Sequence, residues 1–191
     1  MQTQGIRSFI ALDIDDKELL NKFATIQKKV HNTGADLKLV ELKNIHITFK
    51  FLGEVNPITL DKVKEGMDEI KASAFDIKFE EVGTFPNIKR PRVIWVGIKK
   101  GLTELQKIND QLDPKLRQLG FVSDRKGFSP HVTIARVRSG RNKKELNDVL
   151  TEVKSTQFGS MQAGYLRLKK STLTPEGPIY TTIHEVKFNT P

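Results

Sequence analysis

Two copies of one short pattern carry the side chains of this sequence that are best suited to acid and base chemistry. His46-Ile47-Thr48-Phe49 and His131-Val132-Thr133-Ile134 both read His, apolar, Thr, apolar. Imidazole has an ordinary pKa of about 6.5, so one histidine can be neutral near neutral pH while another is protonated. A pair of histidines can therefore supply a proton acceptor and a proton donor to one reaction.

The alternation of polar and apolar residues in each copy is typical of a β-strand, whose successive side chains point to opposite faces. This predicts that His46, Thr48 and Lys50 share one face, while the apolar residues between them face the core. Phe49 is accordingly expected in the core rather than stacked on a base. The alternative is that each His and Thr is an ordinary residue of a half-buried sheet. One motif alone would favour that alternative, but two matching motifs favour a site.

Two such motifs on either side of one cleft would suit hydrolysis of a cyclic phosphodiester. A neutral histidine would take a proton from water as it attacks phosphorus, and a protonated one would give a proton to the departing ribose oxygen. Attack must be in line, so the imidazoles must approach from opposite sides. The hydroxyls of Thr48 and Thr133 would donate to the non-bridging oxygens. This chemistry needs no metal and no cofactor, and the symmetry leaves open which histidine is the acid.

Other ionisable residues have simpler explanations. His31 lies at the end of a predicted helix, where a cationic ring favours the helix dipole, and His184 lies in a terminal strand without a Thr partner. Asp13, Asp15 and Asp16 could bind a divalent ion, but capping of the helix that follows accounts for them. We therefore expect His31 and His184 to be structural or surface residues, and the aspartates to cap the helix.

The positive charge of the chain is concentrated in a few segments. Its 191 residues include 32 Lys and Arg against 23 Asp and Glu, a formal charge of +9. Residues 86–100 and 125–144 contain no acid, and Arg167, Lys169 and Lys170 form a third cluster. Such clustering suits a polyanion such as RNA, although a Lys-rich solvated surface is the alternative. Because one run contains the second motif, we expect much of the excess near one cleft.

The composition excludes several classes of protein. There is no Cys, which excludes disulfides, thiolate metal sites and a cysteine nucleophile. No apolar run approaches the ~18 residues of a membrane span, and the first residues do not fit a signal peptide, so we expect a cytoplasmic protein without membrane contact. The GxGxxG, GxxxxGK[ST], HExxH and GxSxG signatures are absent.

Hydrophobic periodicity predicts interleaved helices and strands. The order strand, helix, strand, helix, strand recurs after about residue 90 without a Pro, Gly or Ser-rich linker, so we expect one domain over 1–191 made of two similar lobes. The predicted helices are 16–31, 60–70, 102–119 with a kink at Pro114, and 146–153 capped by Asn142. The predicted strands are 8–13, 46–55, 75–82, 93–98, 131–137, 165–171 and 179–188.

With these motifs the sequence resembles the 2H phosphoesterase superfamily, specifically its LigT/ThpR branch of RNA 2′,3′-cyclic phosphodiesterases, also called 2′-5′ RNA ligases. The similarity extends over the chain, in residues 7–11, 51–55, 90–95, 128–131 and 177–180. The resemblance implies an α+β fold of two pseudo-symmetric lobes. Each lobe would be an antiparallel sheet with helices on its outer face, and each would contribute one motif to a central cleft.

The resemblance also implies hydrolysis of a terminal 2′,3′-cyclic phosphate of RNA to a 2′-phosphate. It makes His46 the proton donor to the leaving 3′-oxygen and His131 the acceptor from water. It assigns Arg136 to the substrate phosphate, which suits a guanidinium. A regular strand would place Arg136 opposite His131, so the strand must end or bulge, or the side chain must reach round its edge. Expected partners are RNA ends such as tRNA fragments, or cyclic nucleotides, and we expect a monomer.

Two alternatives to hydrolysis remain open. The same histidines would serve the reverse reaction, in which a ribose 5′-hydroxyl replaces water and a 2′-5′ linkage forms. The protein could also be a non-catalytic RNA-binding module. Binding to an RNA backbone needs only Lys and Arg, so the two His and Thr pairs argue against that reading.

Overall fold

The computed structural model of this chain describes residues 5–125 and 127–190, which leaves Lys126 of the predicted basic run outside the described residues. The helices are α1 (Lys17–His31), α2 (Pro57–Asp68), α3 (Leu102–Gln118) and α4 (Lys143–Val153). The strands are β1 (Ile6–Asp13), β2 (Leu37–Leu39), β3 (His46–Val55), β4 (Phe75–Phe85), β5 (Val93–Lys100), β6 (Val132–Val137), β7 (Gln157–Ala163), β8 (Tyr165–Leu173) and β9 (Pro178–Lys187).

The four predicted helices are present, with differences at Pro114 and Asn142. Asp16 caps α1, and its side chain accepts a hydrogen bond from the Leu19 amide at 2.9 Å. Pro114 does not interrupt α3, which is helical from Leu102 to Gln118. Asn142 precedes α4 in the left-handed conformation, but its side chain makes no cap and instead donates to the Thr33 carbonyl. Asn142 is therefore the N-cap residue of α4 as predicted, but it caps the helix without a side-chain hydrogen bond.

All nine strands belong to one antiparallel sheet in the order β7, β4, β5, β6, β3, β1, β8, β9, with β2 paired to β6. We call β1, β3, β8 and β9, with α2 and α3, the first lobe, and the remaining strands, with α1 and α4, the second lobe. The predicted α+β fold with antiparallel strands is confirmed. The lobes are not consecutive halves of the chain, because β8 and β9 close the first lobe while α1 packs on the second.

Two strands were not predicted. β2 has only three residues, and β7 contains Gly159, Ser160 and Gln162, which obscure an apolar alternation. Its buried residues Phe158, Met161 and Ala163 still hold it on β4 and the core. Within the described residues, no helix is long and apolar enough to cross a membrane.

Both motif strands contain a β-bulge at the fourth residue of the motif. In β3, Thr48 pairs with Ala11 and Lys50 with Ile10, so Phe49 has no partner on β1. In β6, Thr133 pairs with Trp95 and Ala135 with Ile94, so Ile134 has no partner on β5. An extra residue of this kind switches the face to which the following side chains point.

The bulges correct one prediction and resolve another. We call the face of the sheet that carries His46, Thr48 and Thr133 the motif face. Lys50 does not share this face as predicted: it is 8% exposed and lies on the core side, while the next residue, Phe51, is 66% exposed. Phe49 is buried in the core as expected. In β6 the same switch puts Arg136 on the motif face, because it is Ala135 that turns inward.

Gln27 of α1 supports the bulge in β6. Its side-chain amide is buried and donates to the carbonyls of Ile134 at 2.8 Å and Val40 at 2.7 Å. The Val40 amide also donates to the Ile134 carbonyl, so the bulge carbonyl accepts two hydrogen bonds. Buried carbonyls need such partners, and here a helix of the second lobe supplies them.

We expect Gln27→Leu to lower the free energy of unfolding by about 1–3 kcal/mol. The partly buried Val40 carbonyl loses the Gln27 donor, and the Ile134 carbonyl loses one of its two hydrogen bonds. Urea denaturation followed by circular dichroism measures this. Gln118→Leu, at the exposed end of α3, is the matched control and should change the free energy of unfolding by less than about 0.5 kcal/mol. Equal effects of the two substitutions would contradict the role of Gln27.

Candidate active site

The two motifs meet where the two lobes join. Ile47 of β3 pairs with Val132 of β6, and both side chains are fully buried. In an antiparallel pair, this register brings His46 opposite Thr133 and Thr48 opposite His131, all on the motif face. The two histidines are then diagonal neighbours, a relation that separates residues by about 7–8 Å. One residue pair thus places four candidate groups together.

The two imidazoles are held in the same way. Nδ1 of His46 lies 2.7 Å from the Asn44 carbonyl oxygen, and Nδ1 of His131 lies 2.8 Å from that of Ser129. A carbonyl can only accept, so Nδ1 carries a hydrogen in both rings and Nε2 remains for a ligand. A neutral ring of this tautomer accepts a proton at Nε2, and a protonated ring donates one there.

His46 packs between aromatic rings and beside a network of charges. The ring centroids of Phe9 and Tyr180 lie 4.9 and 5.6 Å from that of His46. Asp13, its pairing partner on β1, accepts hydrogen bonds from Lys169 at 2.7 Å and Arg167 at 3.0 Å. Lys169 is 8% exposed, so this cation is held close to the ring rather than in solvent.

Burial lowers the pKa of His46 from its ordinary value of 6.5. The Asn44 carbonyl and Asp13 act in the opposite direction, whereas Lys169 and His131 lower the pKa further. His46 is therefore neutral in the unliganded protein near neutral pH. As the pH falls below 6.5, the unfolded chain binds a proton that the folded chain resists, so His46 then reduces the free energy of unfolding.

His131 packs against Phe85 with its ring edge-on, at 4.9 Å between centroids, and Phe85 in turn contacts Trp95 at 5.2 Å. Trp95 lies over Gly83 on the neighbouring strand, where a Cβ would come within 2.2 Å of the indole. Glycine at position 83 therefore leaves the space for the ring that supports Phe85 and His131.

Arg136 lies near the first motif as well as the second. Burial raises the pKa of Tyr180, while the charges of Arg136 and Arg7 act to lower it, so both guanidinium groups lie near the ring that packs on His46. Lys38 pairs with Arg136 across β2 and β6 and is exposed. The motif face thus carries an excess of positive charge, which suits an anionic ligand.

The bulge residues of the first motif hold the loop that leads to the second. Lys50 donates from Nζ to the Val122 carbonyl at 2.6 Å and pairs with Asp124 at 3.4 Å. The ring of Phe49 stacks on Phe128 at 5.1 Å between centroids. The main chain then continues through Ser129 to His131, so the two motifs are linked behind the sheet as well as at their paired strands.

The structure brings together all five predicted residues, His46, Thr48, His131, Thr133 and Arg136, on one face. Both Thr side chains are partly exposed, so their hydroxyls are accessible to a ligand. Sequence reasoning did not assign Lys169, Phe9 or Tyr180 to the site, although all three fall in segments noted for charge or similarity. It assigned Asp13 to helix capping, whereas Asp16 caps α1 and Asp13 lies beside His46. The arrangement offers two proton-transfer groups, two hydroxyl donors and several cations to one anion.

Known proteins resemble this chain over most of its length. The family model described as LigT like Phosphoesterase matches residues 13–95 and again 96–180, one copy of the motif in each match. A protein of Aeropyrum pernix named RNA 2′,3′-cyclic phosphodiesterase is 38% identical over 169 residues, which cover 88% of this chain and 96% of that protein. A protein of Methanocaldococcus jannaschii with the same name is 41% identical over 181 residues, 94% of this chain and 99% of that protein.

Solved structures show the same fold at lower sequence identity. The apo form of Escherichia coli LigT superposes with a TM-score of 0.78 at 22% identity, over 97% of this chain and 99% of LigT. The TT0787 protein of Thermus thermophilus gives a TM-score of 0.79 at 23% identity, over 95% and 97% of the two chains. These likenesses concern the fold, and they extend over both lobes.

We expect an NMR pH titration to give His46 a midpoint below 6.5, because burial disfavours its charged form. Lys169→Met should raise this midpoint by removing a positive neighbour, and Asp13→Asn should lower it by removing a negative one. Lys107→Met, at an exposed position of α3, is the control and should leave it unchanged. The electrostatic description of the site is wrong if Lys169→Met and Asp13→Asn move the His46 midpoint in the same direction.

Proposed function

This chain belongs to the LigT-like phosphoesterase family, and on that premise we propose that it is an RNA 2′,3′-cyclic phosphodiesterase. It hydrolyses the cyclic phosphate at an RNA end to a 2′-phosphate. The observation that carries the proposal is the Ile47 and Val132 pair, which sets two carbonyl-anchored histidines diagonally on one positively charged face.

That geometry supports the following reaction, in which the two histidines take the roles that the family resemblance implies. Phosphorus lies between the two Nε2 atoms, water attacks from one side, and the bond from phosphorus to the ribose 3′-oxygen breaks on the other. His131 accepts the proton of the attacking water, and His46 donates a proton to the 3′-oxygen as it leaves. The products are a 2′-phosphate and a 3′-hydroxyl. No step requires a metal ion or a cofactor.

The lowered pKa of His46 has a specific meaning in this scheme. A proton donor must be protonated before the reaction, whereas burial keeps His46 neutral in the unliganded protein. A phosphodiester carries a negative charge, and a negative charge beside the ring raises its pKa. Substrate binding therefore converts His46 into the acid, and the low intrinsic pKa then favours release of the proton to the leaving oxygen.

The remaining groups stabilise charge and hold the RNA end. The hydroxyls of Thr48 and Thr133 donate to the two non-bridging oxygens, on which negative charge accumulates. Arg136 approaches the same phosphate from β6 with a planar guanidinium. The exposed ring of Phe51 on the motif face offers a surface on which the terminal base stacks.

The same site supports ligation in the reverse direction. A 5′-hydroxyl of a second RNA strand takes the place of water, His131 accepts its proton, and a 2′-5′ phosphodiester results. Hydrolysis is the proposed main activity because water is always present at the open, partly exposed motif face. Product analysis separates the two reactions.

A defined oligoribonucleotide that ends in a 2′,3′-cyclic phosphate should be converted to the 2′-phosphate in the presence of EDTA. His46→Ala and His131→Ala should each lower kcat by about 10²–10⁴-fold, because each removes one proton transfer. His31→Ala and His184→Ala are matched controls on an α1 end and on β9, and they should retain the parent rate. Chromatography of the digested product distinguishes 2′-phosphate from 3′-phosphate. Parent-like turnover by either motif variant would refute the proposal.

Thr133→Val should lower kcat by about 10²–10³-fold, since it removes a hydroxyl donor to the developing charge while keeping the side-chain shape. Thr133→Ser should restore most of the activity. Thr103→Val, exposed on α3, is the control and should have no effect. If Thr133→Val instead lowers the thermal midpoint and Thr133→Ser shows no rescue, the hydroxyl serves only the fold.

A further inference from the structure

A basic cavity lies beyond the end of the motif face, outside the catalytic groups. It has a volume of about 510 Å³ and is formed where β5 begins, β6 ends and α4 starts. Its lining residues include four cations and no carboxylate, namely Arg90, Arg92, Arg138 and Lys143. Pro91 and Leu146 form its apolar floor.

The four cations are available to a ligand. All four are exposed, and none of them makes an ion pair with any residue of 5–125 or 127–190. Basic residues elsewhere on the surface, such as Lys22, Lys29 and Lys64, do pair with nearby acids. Four uncompensated positive charges around one cavity repel one another, and an anion between them relieves that repulsion.

The first turn of α4 adds backbone donors to this cavity. Lys143 and Leu146 of that turn line it. No side chain of residues 5–125 or 127–190 caps the helix, and the Asn142 side chain donates to the Thr33 carbonyl. The first amide groups of a helix lack internal partners and favour an anion together with the helix dipole. The cavity therefore combines side-chain cations with the positive end of a helix dipole.

The cavity lies at the end of β6, the strand that carries Thr133 and Arg136. Arg136, on the motif face, and Arg138, in the cavity, flank Val137, whose amide donates to the Arg92 carbonyl at 2.9 Å. The Cα atoms of Thr133 and Arg138 are five residues apart, a span of about 15 Å along a strand. A stacked strand with a rise of about 3.4 Å per nucleotide covers that span in about four nucleotides.

We infer that this cavity binds a phosphate of the RNA strand about four nucleotides before the reacting end. The inference rests on the proposed function, and it adds to the catalytic groups a second contact site that only an RNA strand is long enough to reach. A mononucleotide occupies the catalytic groups alone, whereas a longer strand follows Arg136 to Arg138 and places a backbone phosphate among the four cations. The cavity thus favours RNA ends over free cyclic nucleotides.

The test compares two substrates with a charge-reversed variant. In Arg90→Glu/Arg138→Glu, the KM for a single-stranded oligoribonucleotide ending in cyclic phosphate should rise about tenfold or more, with kcat unchanged. The kinetics of adenosine 2′,3′-cyclic phosphate should stay within twofold of the parent. Fluorescence anisotropy also measures how the binding constant for the oligonucleotide falls with salt. The slope of its logarithm against the logarithm of the salt concentration should become shallower by about 0.7 for each phosphate that the variant no longer neutralises.

The control variant Lys28→Glu/Lys107→Glu makes the same change in net charge at exposed positions of α1 and α3. It should affect the oligonucleotide far less than Arg90→Glu/Arg138→Glu does. Equal effects of the two double variants, or no effect of either, would overturn the inference. A parent protein that hydrolyses neither substrate would refute the proposed function instead, and anisotropy would still report whether the cavity binds the strand.

A small free phosphate compound is the other candidate occupant of this cavity, because it presents the same anionic oxygens as an RNA phosphate. If Arg90→Glu/Arg138→Glu abolishes binding of inorganic pyrophosphate but leaves the oligonucleotide KM unchanged, the cavity serves a small anion and the strand assignment is wrong. Loss of oligonucleotide affinity that grows with strand length from two nucleotides upward supports the strand. Dinucleotides should be insensitive to the variant.

Discussion

The pairing of Ile47 with Val132 is the contact on which the site depends. It is the one residue pair through which the described strands of the two lobes join, and both side chains are completely buried. Because each lies between a His and a Thr in its own strand, burying the apolar residue fixes the polar ones on the opposite face. The hydrophobic effect therefore positions the reactive groups: a change that loosened this pair would separate the imidazoles without touching them.

The bulge after each Thr brings later residues of the same strand onto the motif face. A flat strand would have sent the residues five positions after His46 and His131 into the core. The extra residue instead brings Phe51 and Arg136 out beside the histidines. It also turns Lys50 inward, where it holds the loop that leads to His131. A bulge needs partners for its carbonyl, and Gln27 supplies one from α1. Secondary structure, packing and the site are thus coupled through two backbone irregularities.

The sequence was sufficient for the motif residues and most elements, because their apolar periodicity is strong and their boundaries carry caps. It was also sufficient to notice that Arg136 required an irregular strand. It could not place the bulges, since nothing in Thr-Phe-Lys or Thr-Ile-Ala distinguishes an extra residue from a regular one. It could not reveal that Asp13, Lys169 and Tyr180 surround His46. The pairing of β1 with β3 places Asp13, and the other two arrive only when β8 and β9 return beside β1. Long-range register of this kind leaves no local signal.

The interleaving of the lobes bears on how the chain acquires its fold during synthesis. β1 emerges first, but it lies between β3 and β8 and remains unpaired on one edge until residues near 170 follow. The apolar face of α1 likewise remains uncovered until β6 and β7 have been made. The first lobe cannot be completed until β9 has been made, so its contacts are non-local and folding is expected to be slow for this size. A nascent chain would hold Asp13 and both histidines well before it held Arg167, Lys169 and Tyr180, so the surroundings of His46 are complete only with the last two strands.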